Sequence, residues 1–246
     1  MQLNCIIIFL LCISTNSYSQ STITPSSSDN SLSIKGDLSD ALNDRVLLES
    51  GNNSENQGSP YLYDDWFLAH IITADSNVIN KLVPTKIDIF RNQICAKNDA
   101  GKELALKSSK VLGIEMLDDK GFKRVFKRYF VKQKYLPYYC EVLYESPKII
   151  FLTHHVKVFK RADYVQRGVV SSGSPFDRFE LEDDTYYVKL GGKEFQKIEL
   201  TRKNFIEQFS PSNQTILQEF CKKNNIGKRL DNSTITILCT YANSIL

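Results

Sequence analysis

The residues of this chain best suited to chemistry begin with two adjacent histidines, His154 and His155, out of 3 in the whole sequence. Neighbours on a strand point to opposite faces, so this pair cannot share a metal ion unless a bulge turns one ring. The local pattern is that of a strand: in residues 148–160, Ile150, Leu152, His154, Val156 and Val158 alternate with Thr153, His155 and Lys157. On that reading His154 is a hydrogen-bonded core histidine and His155 is solvated. His70, isolated in an apolar run from Phe67 to Ile72, reads as a core residue too. No metal and no cofactor is expected, since the ligand types do not gather at metal-binding spacings.

Carboxylates cluster twice. Glu180, Glu182, Asp183 and Asp184 carry the oxygens that calcium prefers, yet they match no EF-hand loop and read as a solvated turn before a strand. Asp64 and Asp65 precede Trp66, a grouping suited to sugar recognition; the plainer expectation is that Trp66 anchors the first strand in the core while the aspartates stay wet.

The least ordinary stretch, residues 122–135, interleaves cations with aromatics. As a strand it sets Phe122, Arg124, Phe126, Arg128 and Phe130 on one side and Lys123, Val125, Lys127, Tyr129 and Val131 on the other. The leading reading is structural, with basic stems covering aromatic surface and lysines guarding an edge strand. The competing one makes Lys123, Arg124, Lys127, Arg128 and Lys132 a contact for a polyanion or an envelope glycan. No catalytic residue is assigned. The sequence has no GxSxG, HExxH, P-loop or GxGxxG, which leaves the commonest motif-bearing hydrolases, metalloproteases and nucleotide enzymes unsupported.

These residues must be positioned by strands. From Trp66 to about Leu200 the apolar period is two: Leu112, Ile114 and Met116 share a face, as do Tyr138, Cys140, Val142 and Tyr144, and Tyr186, Val188 and Leu190. Breakers at 98–101, 118–121, 146–147, 171–175 and 191–192 are too short for crossovers, so neighbouring strands are antiparallel. The expected fold is mainly β (α+β): an antiparallel meander over residues 59–200, curled into a barrel-like or sandwich form, followed by a small helical segment at 201–246 packed on it. Thr201, Ser210 before Pro211, and Asp231 are the expected helix caps. On the third helix Ile235, Leu238, Cys239 and Ala242 make an apolar stripe, although the β-branched run Thr234 to Ile237 also suits a strand.

The chain's start concerns location. The apolar run from Ile6 to Ile13, followed by small residues at Ser17 and Ser19, reads as an export signal over residues 1–19, and it is too short to span a bilayer. Residues 20–58 are rich in Ser and Asn, lack aromatics, and set Lys35 and Arg45 against six carboxylates; they read as a flexible linker. The rest is therefore more basic than the overall charge of +3 suggests, which suits anionic surfaces but is also common on proteins that bind nothing anionic. With the signal removed, Cys95, Cys140, Cys221 and Cys239 remain. They contain no CxxC pair, and Cys221 with Cys239 is the first choice for a disulfide, since both fall on apolar stripes of neighbouring helices.

The opening Gly58-Ser59-Pro60-Tyr61-Leu62-Tyr63-Asp64-Asp65-Trp66, the strand Lys86-Ile87-Asp88-Ile89-Phe90, the pair Tyr138-Tyr139 before Glu141-Val142-Leu143-Tyr144, and the helical tail resemble a group of small exported proteins of unassigned function from Bacteroidota. That resemblance implies an envelope or secreted location and a β-rich domain with a helical end, and it implies no active site. The expectation is an exported, non-enzymatic binding or interaction protein, periplasmic, in the outer envelope or extracellular. Its partner is an envelope protein or an anionic glycan; neither nucleic acid nor a transmembrane span is expected. The alternatives are a lipocalin-like carrier of a small apolar ligand and a hydrolase with an unrecognised site.

Overall fold

The computed structural model describes residues 56–118, 121–132, 135–167 and 170–246. The expected signal, all but the end of the expected linker, and Lys120 and Lys134 beside the basic ribbon lie outside the described residues. The described chain is mainly β and antiparallel, with three helices at its C-terminal end. Ten strands form one sheet. In chain order they are β1 (Phe67–Thr73), β2 (Val83–Asp88), β3 (Gln93–Lys97), β4 (Glu103–Ala105), β5 (Val111–Leu117), β6 (Lys123–Tyr129), β7 (Tyr138–Glu145), β8 (Ile149–His154), β13 (Thr185–Leu190) and β14 (Gln196–Ile198). Their order across the sheet is β14-β13-β8-β7-β6-β5-β1-β2-β3-β4. Between β8 and β13 the chain makes an arm of two small hairpin sheets: β9 (Lys157–Lys160) pairs β12 (Arg178–Leu181), and β10 (Val165–Arg167) pairs β11 (Val170–Ser172).

The sheet does not close into a barrel, because β4 and β14 remain its two edges. It does curl. Asn92, in the turn between β2 and β3, donates to the Pro137 carbonyl at 2.9 Å and accepts from the Tyr139 amide at 2.9 Å, although three strands separate β2 from β7. Ile71, Ile87, Ile94, Ile114, Met116 and Phe126 fill the inside of that curl, with Tyr139 sealing it.

Alternation holds within strands but is interrupted where ladders bulge. The register slips at β1–β5 leave Leu112 unpaired, so Val111 and not Leu112 joins Ile114 and Met116 in the core. A second slip, at Leu143 between β7 and β8, separates Tyr144 from the face of Tyr138, Cys140 and Val142 and packs it against the helices. One extra residue reverses every later side chain, which is why period-two counting fails past a bulge. Residues 148–160 are likewise not one strand: the chain breaks at His155 and Val156 between β8 and β9.

The tail is α1 (Arg202–Ile206), α2 (Pro211–Lys223) and α3 (Asn232–Ile245). Thr201 Oγ1 accepts from the Asn204 amide, Pro211 opens α2 after Ser210, and Asp231 accepts from the Thr234 amide at 2.7 Å. In α3 the cap and the fully buried stripe Ile235, Leu238, Cys239 and Ala242 prevail over the β-branched run. That stripe meets Leu217 and Cys221 of α2, Phe205 of α1, and Ile149, Phe151 and Val188 of the sheet. Cys221 and Cys239 thus belong to one apolar cluster, and both are free thiols, as are buried Cys95 and Cys140.

Candidate functional site

Two polar groupings stand out. The first is buried on the inner face of the central strands. One row of the ladder runs Ile71, Ile114, Phe126, Glu141, Thr153 and Tyr186, which puts the Glu141 carboxylate among apolar neighbours. The Arg124 guanidinium grips it twice, Nε to Oε1 at 2.7 Å and Nη2 to Oε2 at 2.5 Å. His155 reaches the same Oε2 from Nε2 at 3.0 Å and joins Asp184 through Nδ1 at 2.6 Å. Burial pushes the Glu141 carboxyl up, but the hydrogen bonds from His155 and Arg124 outweigh it and hold the group below its usual range. Burial likewise opposes charge on His155, and the bonds to Asp184 and Glu141 outweigh it, raising the imidazole to about 9. Two cations thus face two carboxylates. With both ring nitrogens donating, His155 has no lone pair for a proton, a substrate or a metal. This is an electrostatic clasp that ties β6 and β7 to the residue just after β8 and the residue just before β13.

The clasp corrects the sequence reading of His155, which is buried and not solvated. It also draws Asp184 out of the acidic turn. His154, on the other face, stacks edge-on to Tyr138 at 5.0 Å; burial, then Lys132, lowers it to about 4, and its Nδ1 has no hydrogen-bond partner. His70 Nδ1 meets the Ile79 carbonyl at 3.0 Å. Glu180 is held by Arg178 and Lys160. Trp66 is not a core anchor: it is half-buried outside the core clusters, with Lys86 and Lys97 ammoniums 5.1 Å and 4.4 Å from its ring. Asp64 and Asp65 are exposed.

The basic ribbon is largely neutralised by its own sheet. Lys123 pairs with Glu115 at 2.8 Å, Arg124 with Glu141, and Lys127 with Glu145 at 2.6 Å, where the Tyr129 hydroxyl also donates at 2.7 Å. Arg128 lies opposite Tyr139 with its Nε buried and without a hydrogen-bond partner, and the Lys132 ammonium sits 5.5 Å from the Tyr138 ring. Cations already paired on adjacent strands contribute little field toward an external anion.

The second grouping is open. Helices α1 and α2 and the returning loop before α3 wall a cleft of about 860 Å³. Gln214, Gln218 and Lys222 recur every fourth residue, so they form one stripe along α2. Across from them stand Arg202, Lys203 and Asn204 of α1, and Lys228 and Arg229 of the loop. The loop is pinned: the Arg202 amide donates to the Lys228 carbonyl at 2.9 Å, Leu230 to Leu200 at 3.2 Å, and Arg202 Nη1 to the Ile226 carbonyl at 2.7 Å. Asn225, at φ 53°, takes the left-handed turn after α2. Five cations line the cleft against Glu199 and Glu207. Lys203 lies 3.8 Å from Glu207, whereas Lys222, Lys228 and Arg229 have no carboxylate partner among the described residues. A concave wall of unpaired cations concentrates potential in the solvent it encloses.

Sequence reasoning missed this cleft because its cations are scattered over helix ends and a loop. The signal that could have found it is the Gln214, Gln218, Lys222 stripe, polar on a helix whose other side is core. Among the described residues no cluster of His, Cys, Asp and Glu could hold a metal, and no helix is long and apolar enough to cross a membrane. No family model, curated protein or solved structure matches this chain.

Proposed function

We propose that this protein is an exported, non-enzymatic binding domain of the cell envelope or its surroundings, and that it holds an anionic ligand in the basic cleft between α1, α2 and the loop before α3. The observation that carries the reading is the contrast between two basic surfaces. Three of the ribbon's five cations, Lys123, Arg124 and Lys127, are paired with carboxylates, while the cleft's Lys222, Lys228 and Arg229 have no carboxylate partner among the described residues. Filled packing inside the curled, barrel-like half favours this over a carrier of apolar ligands, and the doubly occupied His155 favours it over acid–base catalysis. Export rests on the apolar run from Ile6 to Ile13 and the small residues Ser17 and Ser19.

The test is binding of dextran sulfate to the mature protein, measured against salt. Changing Lys222, Lys228 and Arg229 together to Gln abolishes salt-sensitive binding, whereas changing Lys123 and Lys132 to Gln leaves it intact. Binding lost through the ribbon pair and kept in the cleft triple would overturn the reading.

A further inference from the structure

The lining of the cleft is not that of a site for a bare phosphate. Besides its cations it offers the amides of Asn204, Gln214 and Gln218, the Thr201 hydroxyl and the carboxylates of Glu199 and Glu207. Gln214 Nε2 is committed to the Phe209 carbonyl at 2.8 Å, which leaves its side-chain oxygen as an acceptor. Asn204 Nδ2 donates to Glu199 at 3.2 Å, fixing that carboxylate in the wall. Gln218 is exposed, and its side chain has no hydrogen-bond partner among the described residues. Acceptors outnumber what an acceptor-only anion can use. Groups that donate as well as accept hydrogen bonds, next to a charge, fit all of these partners.

We infer that the cleft takes an acidic sugar chain, in which hydroxyl-bearing rings carry carboxylate or sulfate groups; the inference rests on the cleft being the binding site proposed above. The charged group lies against Lys222, Lys228 and Arg229, and ring hydroxyls bridge the amide stripe of Gln214 and Gln218 and the Glu199 and Glu207 oxygens. From Gln214 to Lys222 the stripe runs about 12 Å along α2, longer than a single sugar ring. An acidic peptide is disfavoured because main-chain groups beside the cleft are already used: the Arg202 amide by Lys228, and the Leu230 amide by Leu200.

The experiment titrates the mature protein with four polyanions of similar length: oligogalacturonate, dextran sulfate, polyphosphate and polyglutamate. At least one sugar polyanion binds about tenfold more tightly than polyphosphate and polyglutamate, and Gln218→Ala weakens the sugar about tenfold without changing polyphosphate. Gln218 is exposed on a helix, where Ala is well tolerated, so this variant folds as the parent does. Preference between the two sugars tells carboxylate from sulfate ester. Equal affinity for polyphosphate or polyglutamate, or a Gln218→Ala variant that keeps full sugar affinity, would overturn the sugar inference while leaving the anion cleft standing. Failure of all four to bind would overturn both.

Discussion

His155 Nε2 stands 3.0 Å from the Glu141 oxygen that Arg124 Nη2 holds at 2.5 Å, so one buried carboxylate is shared between two cations. Removing His155 leaves Glu141 to Arg124 alone and takes the cation away from Asp184, so three charges remain where four were balanced. His155→Gln is expected to lower unfolding stability by about 1–3 kcal/mol, since Glu141 keeps Arg124, read from urea unfolding at pH 6.

The same clasp sets a pH dependence. The folded value for His155, about 9, lies above its ordinary 6.5, so its contribution is complete below about pH 6.5 and is lost as pH rises through about 9. The folded value for Glu141 lies below its ordinary 4.5, so its contribution is present above that pH and is lost as pH falls through the folded value. Stability from the clasp is therefore greatest between about pH 4.5 and 6.5. Urea midpoints of the parent should fall between pH 6.5 and 9.5, and those of His155→Gln should fall less; parallel profiles would contradict the clasp.

The ribbon yields a prediction of opposite kind to a binding site. Changing Arg124, Lys127 and Arg128 to Gln strips counterions from Glu141 and Glu145. The triple variant is expected to melt well below the parent and to retain its affinity for polyanion at any temperature where it remains folded. Unchanged melting with lost polyanion binding would return the site to the ribbon.

The caps at Thr201, Ser210 and Asp231 and the stripe from Ile235 to Ala242 were legible because helix signals are local, as was the alternation of Lys123 to Tyr129. The bulges at Leu112 and Leu143 were not, since a bulge depends on the partner strand. The clasp was out of reach for a related reason. His155 and Asp184 are 29 residues apart, with the whole β9–β12 arm between them, and nothing near either residue announces the other. The cleft is assembled by a loop return, and two of the three bonds that pin it, Arg202 to Lys228 and Leu230 to Leu200, are between main-chain groups and carry no side-chain signature.

Gly113 is the most exacting backbone position in the sheet. A Cβ there would lie 1.9 Å from the Phe126 carbonyl oxygen and 2.9 Å from the Lys127 Cα, both main-chain atoms of the adjacent strand. Gly113→Ala forces β5 and β6 apart where Gly113 pairs with Lys127 and is expected to cost about 1–3 kcal/mol or more, measured by thermal or urea unfolding. A neutral substitution would mean that β5 does not approach β6 in this register.

The most direct measurement is a map of backbone amide NMR shifts in the mature protein as oligogalacturonate or dextran sulfate is added at low salt. Perturbations are expected to concentrate at Arg202, Asn204, Gln218, Lys222, Lys228 and Arg229 and to leave residues 123–132 unmoved. Perturbations confined to residues 123–132, or none anywhere with either polyanion, would contradict the proposed cleft site.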